Sequence, residues 1–121
     1  MASRHTQTLD QYLFVFTEAD EQLLLVLALL SHGRAAHHNP AMTGDQIIAA
    51  MEAGRVPEHP SLTEEWPTHG VLVRALGRLR QQGLVTGNHN IDGVRSWNLI
   101  RAGYDRLRER MVFDPVPKER R

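Results

Sequence analysis

The 121-residue chain contains no cysteine. That excludes disulfides and thiolate chemistry, argues against zinc, and fits a reducing compartment. Lysine is almost missing as well, with one lysine beside thirteen arginines, so the basic chemistry of this chain is arginine chemistry. No apolar run is long. The longest, "LLLVLALL" from Leu23 to Leu30, falls well short of the roughly 20 residues that span a bilayer, and reads as the middle of a buried helix. The opening "MASRHTQTLD" lacks the charged-then-apolar pattern of a secretory signal. Marks of catalysis are scarce too. There is no glycine-rich phosphate loop and no spacing that argues for a Ser-His-Asp arrangement. Glu64 and Glu65 are adjacent, so on a helix they point in different directions. No pair among the seven histidines has the spacing of a zinc motif. The expectation is a non-enzyme with no cofactor and no metal.

What is present is one domain's worth of ordinary globular composition, 41% apolar and 23% charged, enough to bury a modest core. The formal net charge is zero, but it is unevenly laid out. Residues 1–65 hold three arginines against nine acids, a net of −6, and residues 66–121 hold eleven bases against five acids, a net of +6. Between Trp66 and Ile91 there are three arginines and no acid. A split of this kind points to an anionic partner for the C-terminal half, and its bland counterpart is a solvated face balanced by the acidic half.

Hydrophobic spacing sets out the elements. Leu9, Tyr12, Leu13 and Phe16 share one helical face, although "YLFVF" also alternates as a short strand would; the helix is the expectation. Thr17 with Asp20 resembles a capping box opening a helix that runs to about His32 and stops at Gly33, with Glu18, Asp20 and Glu21 suiting its N-terminus. "RAAHHNPAM" is a loop. Thr43 with Gln46 forms a second capping box for "GDQIIAAMEA", which Gly54 ends. Arg55 to Pro67 is too proline-rich for a helix, with room for one short turn at "SLTEEW". Thr68 is the N-cap of a helix carrying Leu72, Ala75, Leu76 and Leu79, closed by Gly83. Leu84 to Thr86 and Val94 to Leu99 form a hairpin turned at Asp92-Gly93, anchored by Trp97 and Leu99. A last helix covers Arg101 to Met111.

At these residues the chain resembles the winged helix-turn-helix repressors, most closely the PadR-like group and more loosely MarR-like proteins. "GDQIIAAME", "LGRLRQQGLV" and "WNLIRAGYDRL" carry the resemblance, which spans residues 20 to 110. Leu79 followed by Gly83-Leu84-Val85 matches the end of their recognition helix, and Trp97, Leu99, Gly103 and Leu107 match the segment after their wing. Three departures stand out. Ile100 replaces the capping threonine, the loop from Arg55 to Pro67 is long, and the C-terminal helix is short where the family dimerises. The resemblance implies a mainly α (α+β) winged helix-turn-helix with a two-stranded β-wing and an added N-terminal helix. Residues 1–16 form an N-terminal arm or dimerisation helix, 17–112 the winged domain, and 113–121 a flexible tail. It also implies a dimeric repressor that binds double-stranded DNA in the cytoplasm, associated with the nucleoid. The rivals are a winged helix used only for protein contact and a plasmid or phage protein binding DNA for replication or segregation.

The site follows from the geometry of the duplex. A helix fits the major groove, and residues near its N-terminus reach base edges. Thr68, His69, Gly70 and Val71 occupy that end, and Gly70 lets the backbone approach a phosphate. Arg74, one turn further, forks to guanine or clamps a phosphate. Arg78 and Arg80 lie nearer the C-terminal end, where phosphate or plain solvation is the choice. The wing tip, Asn88, His89 and Asn90, with Arg95 on the return strand, reaches the minor groove or a phosphate. Leu9, Tyr12, Leu13 and Phe16 either join two copies into a homodimer or cover the protein's own core.

Overall fold

The computed structural model describes residues 12–32, 41–56, 59–89 and 92–112. Helix α1, Gln22–His32, follows a single 3-10 turn, Ala19–Glu21. Every side chain from Leu23 to Leu30 is buried. The helix is therefore wrapped on all sides, as an unbroken apolar run requires. The anticipated Thr17–Asp20 box does not form, since the cap position, Glu18, makes no side-chain bond. Instead the Thr17 N–H and hydroxyl both donate to Glu21 Oε1, at 3.0 and 3.3 Å. The longer, buried Glu21 side chain reaches back to Thr17, and Asp20 turns elsewhere.

Strand β1, Met42–Thr43, leads into α2, Gly44–Glu52. Here the expected box is complete: Thr43 Oγ1 accepts from the Gln46 N–H at 3.1 Å, and Gln46 Oε1 accepts from the Thr43 N–H at 2.9 Å. Caps of this kind contribute about 1 kcal/mol each. Helix α3, His69–Gln81, starts at Thr68, whose hydroxyl accepts from the Val71 N–H. It buries Leu72, Ala75, Leu76 and Leu79 against the core. Gly83 adopts φ +78°, and the Leu84 N–H bonds the Leu79 carbonyl at 3.1 Å. That six-residue closure needs a left-handed residue, which glycine supplies without strain.

The hairpin is β2, Val85–His89, and β3, Arg95–Leu99, in register from Val85 opposite Leu99 to His89 opposite Arg95. Trp97 and Leu99 are buried as anchors. The sheet is not confined to the expected two strands: β1 pairs antiparallel with β3, Met42 opposite Trp97, giving a sheet of order β1-β3-β2. Two residues are too few to show a period of two, so the sequence pattern misses this strand. Helix α4, Arg101–Arg110, closes the fold. The described residues thus form an α+β unit of four α-helices and a three-stranded antiparallel sheet, compatible with a winged-helix-like fold.

The added N-terminal helix is corrected where it can be seen. Residues 12–16 are extended, not helical. Phe14 bridges Met111, with the Val15 N–H on the Arg110 carbonyl and the Val112 N–H on the Leu13 carbonyl, both at 2.8 Å. Phe14 is buried, while Leu13 and Val15 are exposed, which is the alternation of a strand. Tyr12, Leu13 and Phe16 therefore do not share a helical face. Phe16 stacks on Phe14, ring centroids 5.9 Å apart. Burial of the Phe14 ring beside His59, with backbone bonds of its segment to Ser61 and to the strand at Met111, outweighs a weak helical preference. Leu9, Asn90, His37, His38 and the tail 113–121 lie outside the described residues. No helix among those described is long and apolar enough to cross a membrane.

Candidate nucleic-acid interface

The first turn of α3 is positioned by α2. The His69 ring packs so closely on Gly44 that a Cβ there would lie 2.6 Å from its Cδ2. Its Nε2 stands 3.8 Å from Asp45 Oδ1, with both side chains open to solvent. His69 thus spends one face on the neighbouring helix. Thr68 spends its acceptor lone pair as the cap. Gly70 is exposed and Val71 half-buried. Arg74 is exposed and folds back one turn, its Nη1 3.9 Å from the place of a Gly70 Cβ. Thr68, Gly70 and Arg74 therefore do come together on the open end of α3, as the sequence anticipates.

Arg78 does not join them. Its Nε and Nη2 donate to the two carboxylate oxygens of Asp20 at 2.6 and 3.0 Å. The Asp20 side chain is only 13% exposed. A bidentate partner from the acidic half has taken this guanidinium out of the free positive surface. Arg80, for which the sequence leaves phosphate or plain solvation open, reaches the hairpin instead. Gly87 in β2 explains how. A Cβ there would meet the Trp97 ring at 2.8 Å, the Arg80 Cδ at 3.0 Å and the Arg95 Cδ at 3.1 Å. The stems of one arginine from the helix and one from the wing thus converge on a position with no side chain. A glycine inside a strand pattern is the available sign of such close approach.

The wing root is ordered further. The Arg95 guanidinium carbon sits 5.5 Å from the centre of the Trp97 ring, a cation–π distance. Its Nε and Nη2 lie 3.3 and 3.0 Å from His89 Nε2, so that nitrogen acts as acceptor. Asn88 and His89 are exposed on β2. Arg74, Arg80 and Arg95 have no acidic partner among the described residues.

A second charged cluster joins the turn before α1 to α4. The Glu21 carboxylate, 1% exposed, accepts from Arg106 at 3.1 Å and from Arg110 at 2.9 Å on each oxygen. Burial alone would raise the Glu21 carboxyl. The bonds from Arg110, Thr17 and Arg106 outweigh it and hold the group at about 2. Nothing local in the sequence announces this, because the partners lie 85 and 89 residues away.

Comparison of the chain with protein-family models, with curated proteins and with solved structures finds no match.

Proposed function

We propose that the protein binds double-stranded DNA, as a dimeric transcriptional repressor that lays the exposed N-terminal end of α3 in the major groove. One observation carries the reading. Arg74, Arg80 and Arg95 stand on a helix and its adjoining ribbon without a carboxylate partner among the described residues, while the remaining basic side chain of that helix is neutralised. Uncompensated arginines in such an arrangement match the charge and the fork geometry of phosphate and guanine edges. The order β1-β3-β2 with the hairpin following α3 supports a wing beside a recognition helix. In this reading Arg74 is the base-contacting residue, and Arg80, Arg95, Asn88 and His89 contact the backbone. Leu13 and Val15, exposed on one side of the extended segment, are the apolar surface on which a second copy docks. Two-fold symmetry then sets two α3 helices about 34 Å apart and makes the operator roughly palindromic.

The test is fluorescence anisotropy with a random duplex at about 50 mM salt, where phosphate contacts dominate. Binding is expected, falling steeply as salt rises. On a duplex enriched from a random pool by the native protein, Arg74→Ala is expected to weaken binding about tenfold or more, within the range of one good bidentate base contact. No binding at low salt would end the DNA reading and leave a winged helix that contacts protein. Binding unaffected by Arg74→Ala would remove α3 from the groove.

A further inference from the structure

The loop between α2 and α3 is held down along one edge. The Gln22 carboxamide is buried at the start of α1, and its Oε1 accepts from the Thr63 and Glu64 N–H groups at 2.7 and 2.9 Å. Its Nε2 donates to Thr63 Oγ1 at 3.2 Å. Ser61 Oγ accepts from the Phe14 N–H at 2.8 Å, and the Ser61 N–H donates to His59 Nδ1 at 3.1 Å. Between this anchored loop and the helices lies a cleft of about 650 Å³, within the range of small-molecule sites. Val26 of α1, Met51 of α2, and Leu62 and Trp66 of the loop give it apolar walls, and among the described residues its ionisable lining groups are His59 and Glu64.

Size and wall chemistry call for a compact apolar or aromatic body, and the charge pattern selects its sign. Glu64 is exposed and Glu65 follows it, and no lysine or arginine lines the cleft among the described residues. An anion would face that carboxylate uncompensated. A cation gains both the carboxylate and the negative face of the Trp66 indole. We propose that this cleft binds a hydrophobic organic cation, its apolar body between Val26, Met51, Leu62 and Trp66 and its charge against Glu64.

The cleft also has a mechanical connection. Trp66 is followed by Pro67, with its fixed φ, and then by Thr68, the cap of α3. Only Glu65 to Pro67 separate the anchored Glu64 from the helix start. An occupant that moves Trp66 therefore moves the end of α3. This coupling rests on the DNA reading; the binding itself does not.

Full-length protein titrated with tetraphenylphosphonium tests the site, with calorimetry on the native chain and tryptophan emission in a Trp97→Phe background, where Trp66 alone reports. Saturable binding is expected, about tenfold tighter than for tetraphenylborate, which has the same shape and the opposite charge. Glu64→Gln should remove most of that preference. Absence of saturable phosphonium binding, equal affinity for the two ions, or a preference that survives Glu64→Gln would each overturn the proposal. Duplex affinity is measured in a separate arm. A change of about threefold or more on adding the phosphonium supports the coupling, and no change refutes the coupling while the cation isotherm stands. Failure to bind duplex at all would sink the DNA reading alone.

Discussion

Two sets of arginines in the basic half of the chain meet opposite fates. Arg78, Arg106 and Arg110 are held by Asp20 and Glu21, adjacent residues in the 3-10 turn that leads into α1. Arg74, Arg80 and Arg95 have no such partner among the described residues. The residue type is the same and the stretches are neighbours, yet one set ties helices together and the other is left facing outward. A positive half of +6 therefore overstates the surface open to an anion. An acidic dipeptide far away in sequence engages three of those arginines and offsets two of their charges. Where a guanidinium points, not how many there are, decides what it does.

The contrast can be broken most strongly at Glu21. Glu21→Gln removes the buried negative charge shared by two arginines and turns one of its two acceptor oxygens into a donor. It is expected to cost about 3 kcal/mol in urea unfolding, at the low end for breaking a buried pair because Arg106 and Arg110 are 28% and 21% exposed and partly reach water. Duplex affinity of the folded fraction should not change. A cost below about 1 kcal/mol would mean that the clamp is a surface pair in energetic terms.

Acid offers the same test without a mutation. The Glu21 carboxyl is depressed in the folded state, from 4.5 to about 2, so its contribution is complete above about pH 4.5. It fades as protons bind the unfolded chain first, and is gone near pH 2. A shift of that size corresponds to about 3 kcal/mol. Unfolding free energies measured across this window should fall less for Glu21→Gln than for the native protein; parallel curves would show that other carboxylates drive the acid transition.

Smaller effects separate the outward set. Arg80→Ala should leave folding intact and lower the salt slope of duplex binding by about one, since its stem merely lies beside Gly87. An unchanged slope would take Arg80 off the backbone. The smallest effect belongs to Arg78→Ala, expected to cost less than about 1 kcal/mol because the arginine itself is exposed, with no loss of duplex affinity. A tenfold loss of binding would mean that a phosphate displaces Asp20 from this side chain.

The sequence made the local devices readable. Thr43 with Gln46, Thr68, Gly83 and the buried face of Leu72, Ala75, Leu76 and Leu79 all act within a turn or two of chain. Caps and periodicity carry their own physics, so they can be read without knowing the fold. The hairpin and its Trp97 anchor were legible for the same reason. Asp20 bonding Arg78 across 58 residues, and Glu21 reaching α4, were not, because an ion pair leaves no mark on its neighbours. Residues 12–16 were misassigned between two patterns that both fitted. Phe14 settled the matter through contacts with Ser61 and Met111, which lie far along the chain. Of the candidate site, the gathering of Thr68, Gly70 and Arg74 at the open end of α3 was readable; the bond of Arg78 to Asp20 and the approach of Arg80 to Gly87 were tertiary.

The ladder joining Leu13–Val15 to Arg110–Val112 makes the folded unit nearly a ring, its two strand ends lying side by side and running in opposite directions. Tension applied across residues 12 and 112 would peel that ladder one bond at a time instead of shearing it, so the seam that closes the molecule opens stepwise. A permuted chain stitched there and opened between β2 and β3 would keep each core contact and lose the seam.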